Sequence, residues 1–313
     1  MRVVFMGTPA FAVPTLRKLL SSQHVVCSVF TQPDRPSGRG QKLTASPVKR
    51  LALESQIPIY QPQELKSVEL KDLLEAMAAD ALVVVAYGKI LPAWLFNLPY
   101  FGAINVHASL LPRYRGAAPI PWAIVYGEAR TGVTTMRIAK GVDTGDLLLQ
   151  QEVEIQSTET ASELHDRLAM LGADLLIRTL DLLEKDQIVA TPQNSDLATY
   201  APILKKSDGE LNWKQSSREI YNRIRALNPW PGTYTYCRAT RLRILNARPV
   251  TPPEDLKGVG SLWRLGSNVA LVACGRGYLE LLEVQVENHQ RVPAVDFLNG
   301  IRLQPNQSVT LGI

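Results

Sequence analysis

Six consecutive apolar residues, Ala81-Leu-Val-Val-Val-Ala86, stand between a segment of helical spacing and a run broken by Pro and Gly. The run is far too short to cross a membrane and has no polar side to offer water. It predicts a strand buried on both faces, and such strands belong to parallel sheets covered by helices. Its neighbours fit the same plan. Val3–Met6 reads as a buried strand, and Gly7-Thr-Pro-Ala10 turns from it into a helix through Leu20. Strands follow over Val25–Thr31 and, briefly, Ile57–Tyr60. A helix over Leu65–Ala79 leads into Ala81–Ala86. Further on come a strand at Ile104–His107, a helix at Ala117–Tyr126, strands at Gly132–Ile138 and Gly145–Ile155, and a long amphipathic helix over Ala161–Lys185. The β-α-β rhythm predicts an α/β domain with a doubly wound, mainly parallel sheet.

The pattern then changes. Polar residues take over around Ile188–Tyr200, and a helix is expected over Ser216–Ala226. Five short strands follow, at Gly232–Cys237, Arg241–Ala247, Gly258–Trp263, Asn268–Cys274 and Tyr278–Val286. Gly, Pro and Asn punctuate them, which predicts a small antiparallel barrel. With 313 residues the chain has the length of two domains. The expected division is a first domain over 1–189, a linker over 190–206 and a second domain over 207–313.

Composition narrows the class. A hydrophobic share of 46% with 20% charged residues is that of a soluble globular protein. Three separated cysteines without a CxxC pair point to a reducing compartment. No apolar stretch reaches the length of a membrane span, and the N-terminal run is too short for a signal-peptide core. A cytoplasmic, monomeric protein without a membrane partner is expected. His24, His107, His165 and His289 lack paired ligand spacing, so no metal is expected. The Gly7 turn lacks Gly-x-Gly-x-x-Gly, and no Walker lysine loop occurs; dinucleotide and ATP binding are unsupported.

The charge is uneven. Residues 207–313 hold 13 Lys/Arg against 9 Asp/Glu, which is +4 of the chain's +5. From Ile220 to Pro253 there is no acid, yet there are six arginines: Arg223, Arg225, Arg238, Arg241, Arg243 and Arg248. Tyr221, Trp230, Tyr234 and Tyr236 are interleaved. Such a run suits a solvated strand face, or a surface that contacts phosphate and stacks bases. A second basic cluster, Arg35, Arg39, Lys42, Lys49 and Arg50, lies in a segment read as a long loop.

One stretch carries chemistry. Asn105 and His107 are two apart on a strand, so both point to one side. A Pro- and Gly-containing loop with Arg113 and Arg115 follows. Asp143, in the turn Gly141-Val-Asp-Thr-Gly145, comes about 35 residues after His107, room for one crossover unit. Imidazole relays protons near neutrality, and an amide N–H can meet a developing oxyanion. The pair suits acyl transfer through a tetrahedral intermediate. There is no Gly-x-Ser-x-Gly, so direct transfer to an external nucleophile is expected. A lone histidine is also readily a paired core residue. An Asp in a turn can simply shape it.

The segment Asn105-Val-His-Ala-Ser-Leu-Leu-Pro-Arg-Tyr-Arg-Gly-Ala-Ala-Pro-Ile120 resembles the formyl-folate transferase superfamily. Further matches are Gly7-Thr-Pro9, Thr31-Gln-Pro-Asp-Arg-Pro36 with Gly38-Arg-Gly40, Ser46-Pro-Val-Lys49, Val84-Val-Ala-Tyr-Gly88, Gly141-Val-Asp-Thr-Gly-Asp146 and Asn228-Pro-Trp-Pro231. Arg113-Tyr-Arg-Gly-Ala-Ala-Pro119 narrows the resemblance to members that act on an aminoacylated initiator tRNA. It implies a Rossmann-like domain followed by an OB-like barrel. It implies 10-formyltetrahydrofolate as formyl donor and methionyl initiator tRNA as acceptor, hence N-formylmethionyl-tRNA for translation initiation. The resemblance makes Asn105, His107 and Asp143 the catalytic trio, and Ser109, Leu110, Leu111 and Pro112 the folate-binding segment. It makes the 35–50 segment a grip on the tRNA acceptor end, with Arg39 reading the first base pair. Lys42, Lys206, Arg241 and Arg243 are the further expected tRNA contacts.

Overall fold

The structure is a computed structural model describing residues 1–37, 42–251, 256 and 258–312. The chain forms two compact units. The first comprises Met1–Pro119, Arg130–Glu154 and Leu164–Ala201; the second comprises Ile120–Ala129, Ile155–Glu163 and Pro202–Ile313. No helix among the described residues is long and apolar enough to cross a membrane.

In chain order the elements as far as residue 201 are β1 (Arg2–Gly7), α1 (Val13–Leu20), β2 (Val25–Phe30), β3 (Arg35–Ser37), β4 (Lys42–Thr44), α2 (Pro47–Glu54), β5 (Ile59–Tyr60), α3 (Val68–Ala76), β6 (Ala81–Val85), α4 (Ala93–Phe96), β7 (Ala103–His107), β8 (Arg115–Gly116), α5 (Pro119–Val125), β9 (Arg130–Arg137), β10 (Leu147–Glu154), α6 (Ala161–Glu184) and β11 (Tyr200–Ala201). The main sheet has the order β10-β9-β7-β6-β1-β2-β5. Its last five strands are parallel. β6 is buried at every position, as its all-apolar sequence requires. β9 and β10 run antiparallel at the other edge. The chain from His107 to Asp143 does contain a helix, but it returns as the antiparallel β9 rather than closing a parallel crossover.

Helices cover both faces. Val4, Met6, Leu82 and Val84 pack with Leu70 and Leu74 of α3 and with Leu95 and Phe96 of α4. On the opposite face Gly172 of α6 lies against Val106 and Val133; a Cβ there would stand 2.7 Å from Val106. Strand alternation therefore puts Asn105 and His107 on the α3/α4 side, with His107 the last residue of β7. Carboxyl ends of parallel strands are where open α/β sheets bind ligands.

The segment read as a long loop contains regular structure. β3 and β4 pair antiparallel, with Ser37 opposite Lys42. α2 then begins under a cap: Ser46 Oγ accepts from Lys49 N at 3.0 Å.

The second unit's helix α7 (Ser217–Leu227) opens on a reciprocal cap between Ser216 and Glu219. Then come β12 (Thr233–Cys237), β13 (Thr240–Val250), β14 (Ser261–Leu265), β15 (Val269–Ala273), β16 (Tyr278–Val286), β17 (Arg291–Pro293), α8 (Ala294–Gly300) and β18 (Ser308–Thr310). The sheet runs β12-β13-β16-β15-β14-β18, all antiparallel, with β17 on β16. Cys237 bridges to Leu311, and Gly312 N donates to Tyr236 O at 2.8 Å, so the sheet curls back on its first strand. Trp213, Ile220, Ile224, Leu242, Leu262 and Leu279 belong to its core. The five anticipated strands all form; β17, α8 and β18 were not foreseen.

Candidate active site

The carboxyl end of β7 and the turn between β9 and β10 bring His107 and Asp143 together. His107 is 7% exposed, and its Nδ1 lies 3.6 Å from Asp143 Oδ2. Its Nε2 lies 2.9 Å from the Tyr114 carbonyl oxygen. A carbonyl only accepts, so this bond fixes a proton on Nε2 and turns Nδ1 toward the carboxylate. At 3.6 Å the contact is an ion-pair distance and too long for a hydrogen bond. Among the described residues Nδ1 has no hydrogen-bond partner, with the Asp143 carboxylate its nearest charged group.

The carboxylate is itself anchored. Gly116 N donates to Asp143 Oδ2 at 2.8 Å. Asp143 sits at φ +52°, a left-handed conformation that Asp tolerates better than most residues. Asn105 is half-buried on the same strand face as His107. No hydrogen bond engages its side-chain amide among the described residues, so both amide hydrogens remain for a ligand.

The expected folate segment continues directly from this strand. Ser109 is 1% exposed, and its Oγ donates to Arg113 O at 2.7 Å. Thr134 Oγ1 donates to Ser109 O at 2.6 Å and accepts from Leu111 N at 3.2 Å. Gln150 Nε2 donates to Leu111 O at 2.8 Å. Leu111-Pro112 is cis. Leu111 is buried, while Leu110 and Pro112 are half-exposed. The segment is therefore a held, partly apolar lip next to Asn105 and His107.

Residues that the sequence reading passed over do much of the holding. Tyr114 N donates to Thr199 Oγ1 at 2.9 Å, and Arg115 N donates to Thr199 O at 2.8 Å. Arg115, 3% exposed, reaches Gln193 Oε1 from Nε at 3.1 Å and Nη2 at 2.7 Å. Thr199 and Gln193 lie in the stretch expected to be a linker, where no periodicity marks them. Thr134 and Gln150 sit on strands as ordinary polar alternates. None carried a signal in the sequence.

The expected tRNA contacts are of several kinds. Arg39 lies outside the described residues. Lys42 is exposed on the β3/β4 hairpin, whereas Lys49 is tied to Asp34 at 2.7 Å. Lys206 is exposed on a single 3-10 turn in the second unit. Arg241 stacks 3.8 Å over the Tyr234 ring. Arg243 reaches Gln285 Oε1 at 3.3 Å and Pro229 O at 3.4 Å. Gly232 at φ +82° makes room for it, since a Cβ there would meet Arg243 Nη2 at 2.5 Å. Two other arginines of the acid-free run have partners within the protein. Arg225 is 5% exposed and donates to Glu159 O at 2.6 Å, and Arg248 pairs with Glu280 at 2.7 Å.

One cluster of possible metal ligands occurs among the described residues, His24, Asp181 and Glu184. It comes from separated parts of the chain and includes neither His107 nor Asp143. The N-terminal ammonium lies in it, 2.9 Å from Glu184 and 3.2 Å from His24 Nδ1.

Comparison with known proteins identifies the family. Residues 1–180 match the formyl transferase family, and residues 203–302 match the formyl transferase C-terminal domain. A methionyl-tRNA formyltransferase of Solibacter usitatus is 52% identical over 312 residues, covering 100% of this chain and 99% of that protein. Among solved structures, methionyl-tRNA formyltransferase from Clostridium thermocellum aligns with a TM-score of 0.54 and 16% identity, over 79% of this chain and 93% of that one. HypX from Aquifex aeolicus, solved with tetrahydrofolic acid, aligns with a TM-score of 0.66 and 15% identity. That match takes in 97% of this chain but 48% of HypX, so this chain spans about half its length. These two likenesses show a shared fold.

Proposed function

The chain belongs to the methionyl-tRNA formyltransferases, and from that premise we propose that it moves the formyl group of 10-formyltetrahydrofolate onto the free α-amine of methionyl initiator tRNA. The observation that carries the chemistry is the Asn105, His107 and Asp143 constellation at the carboxyl end of β7. The amine nitrogen attacks the formyl carbon, and a C–N bond forms. The carbonyl oxygen becomes an oxyanion that, in this reading, is stabilised by the Asn105 amide and by the Nδ1–H of protonated His107, whose Nε2–H stays on the Tyr114 carbonyl. The bond from carbon to the folate nitrogen then breaks. One amine proton ends on that leaving nitrogen.

Asp143 stabilises the charged imidazole across 3.6 Å and assists the proton transfer. Because Gly116 N holds Oδ2, the carboxylate keeps its place while charge develops. Each preorganised donor to the oxyanion contributes on the order of 3 kcal/mol to the barrier reduction. The Ser109–Pro112 lip, with half-exposed Leu110 and Pro112, suits a flat folate ring. Lys42, Lys206, Arg241 and Arg243, with Arg39, serve the RNA in this reading. In this reading residues 1–189 carry the catalysis and 207–313 bind RNA, while the connecting stretch 190–206 contributes Gln193 and Thr199 to the catalytic unit. The enzyme works as a cytoplasmic monomer without a metal.

The test is a formylation assay with 10-formyltetrahydrofolate and two amines, methionyl-tRNA and an amino-sugar nucleotide. Formyl transfer to methionyl-tRNA alone supports the reading. Transfer to the sugar amine alone overturns it.

A further inference from the structure

Asp143 has an exposed turn on either side of it: Gly141, Val142 and Thr144 all face solvent. A carboxylate on such a turn needs a brace to stand at one distance from His107. Gly116 N supplies one contact, to the carboxylate itself. Among the described residues, one side chain holds the backbone of the turn, Gln193. Its Nε2 donates to Asp143 O at 2.9 Å and to Gly145 O at 2.7 Å. Its Oε1 accepts two bonds from Arg115. Arg115 adjoins Tyr114, whose carbonyl fixes the His107 ring. Gln193 thus ties the turn that carries Asp143 to the loop that orients His107. Its own backbone is set by the neighbouring pair of bonds between Thr191 and Leu147, at 2.8 and 2.9 Å.

We propose that Gln193 is a positioning residue for the formyl transfer, acting through Asp143; this rests on the role given to Asp143 above. The amide is suited to the place because it accepts at one end and donates twice at the other. A buried guanidinium polarises the carbonyl it bonds and so strengthens the donor end. Catalytic groups displaced by about 1 Å can lose on the order of a hundredfold in rate.

The experiment compares Gln193→Ala and Gln193→Glu in the full chain, alone and combined with Asp143→Asn. Glutamate keeps an acceptor for Arg115 but cannot donate to the two carbonyls. Both single variants are expected to lose kcat by about tenfold or more, with KM for both substrates nearly unchanged. In the Asp143→Asn background, read by single-turnover formylation, Gln193→Ala is expected to cost less than about twofold more. An equal loss in both backgrounds, or full turnover in Gln193→Glu, overturns the proposal. Near-normal turnover of Asp143→Asn alone instead removes the role of Asp143 on which it rests.

Discussion

His107 and Asp143 meet across 3.6 Å, and neither is free to drift. The imidazole is held through Nε2 by the Tyr114 carbonyl, and the carboxylate through Oδ2 by Gly116 N. Tyr114 and Gly116 are two residues apart in one loop. The loop after β7 therefore sets both members of the pair.

Asn105 shares the strand face of His107, and no hydrogen bond engages its amide among the described residues. Asn105→Ala is expected to lower kcat about a hundredfold while tRNA affinity stays nearly constant, because the contact exists mainly in the transition state. Steady-state kinetics with a separate tRNA-binding titration checks this. Near-normal turnover removes Asn105 from the oxyanion site.

Gly116 occupies φ +119°, and a Cβ there would stand 2.7 Å from Ala201 O. Backbone cannot yield as a flexible side chain does. Gly116→Ala is expected to cost about 1–3 kcal/mol of stability in urea unfolding. It also shifts the N–H that holds Asp143, so turnover of the remaining folded protein falls as well.

The arginines of the acid-free run divide into two sorts. Arg225→Ala removes the Arg225 donor from the Glu159 carbonyl and one of two donors from the Gln156 carbonyl, which keeps Glu159 N, and is expected to cost on the order of 3 kcal/mol. Arg241→Ala and Arg243→Ala are expected to leave stability nearly intact. Each should reduce the slope of log affinity for tRNA against log salt by about one. An unchanged slope takes them off the RNA surface.

His24 supplies a pH dependence of stability. Burial, and next the adjacent N-terminal ammonium, hold its pKa below the ordinary imidazole value, against the pull of Asp181 and Glu184. Between the lowered folded value and the ordinary one, the unfolded chain binds more protons than the folded chain. Stability therefore falls as pH drops through that window and is regained above it. Urea unfolding at about pH 7.5 and about pH 5.5 should show a smaller difference in His24→Gln than in the unaltered chain. An equal difference assigns the dependence to other groups.

The sheet was legible wherever burial dictates sequence. β6 could hardly be anything but a central strand, and Asn105 and His107 share a face because strand alternation allows nothing else. What escaped prediction is what pattern does not encode. The direction of β9 is set by pairing with β7, not by its own residues. β17, α8 and β18 are short, and β17 and β18 hold no buried residue. The brace on the site comes from Gln193 and Thr199, polar residues in a polar stretch, whose partners are nearly 80 or more positions away in sequence. Basic composition pointed to a nucleic-acid surface, yet it could not separate Arg225, spent on internal carbonyls, from Arg241, stacked on Tyr234.

The central claim is formyl transfer to one particular charged tRNA. The direct measurement is single-turnover formylation from 10-formyltetrahydrofolate, with methionyl initiator tRNA and methionyl elongator tRNA side by side. Rapid formylation of the initiator species, with the elongator species left largely unmodified, is the predicted result. Equal rates on both, or no transfer to either, would contradict the account.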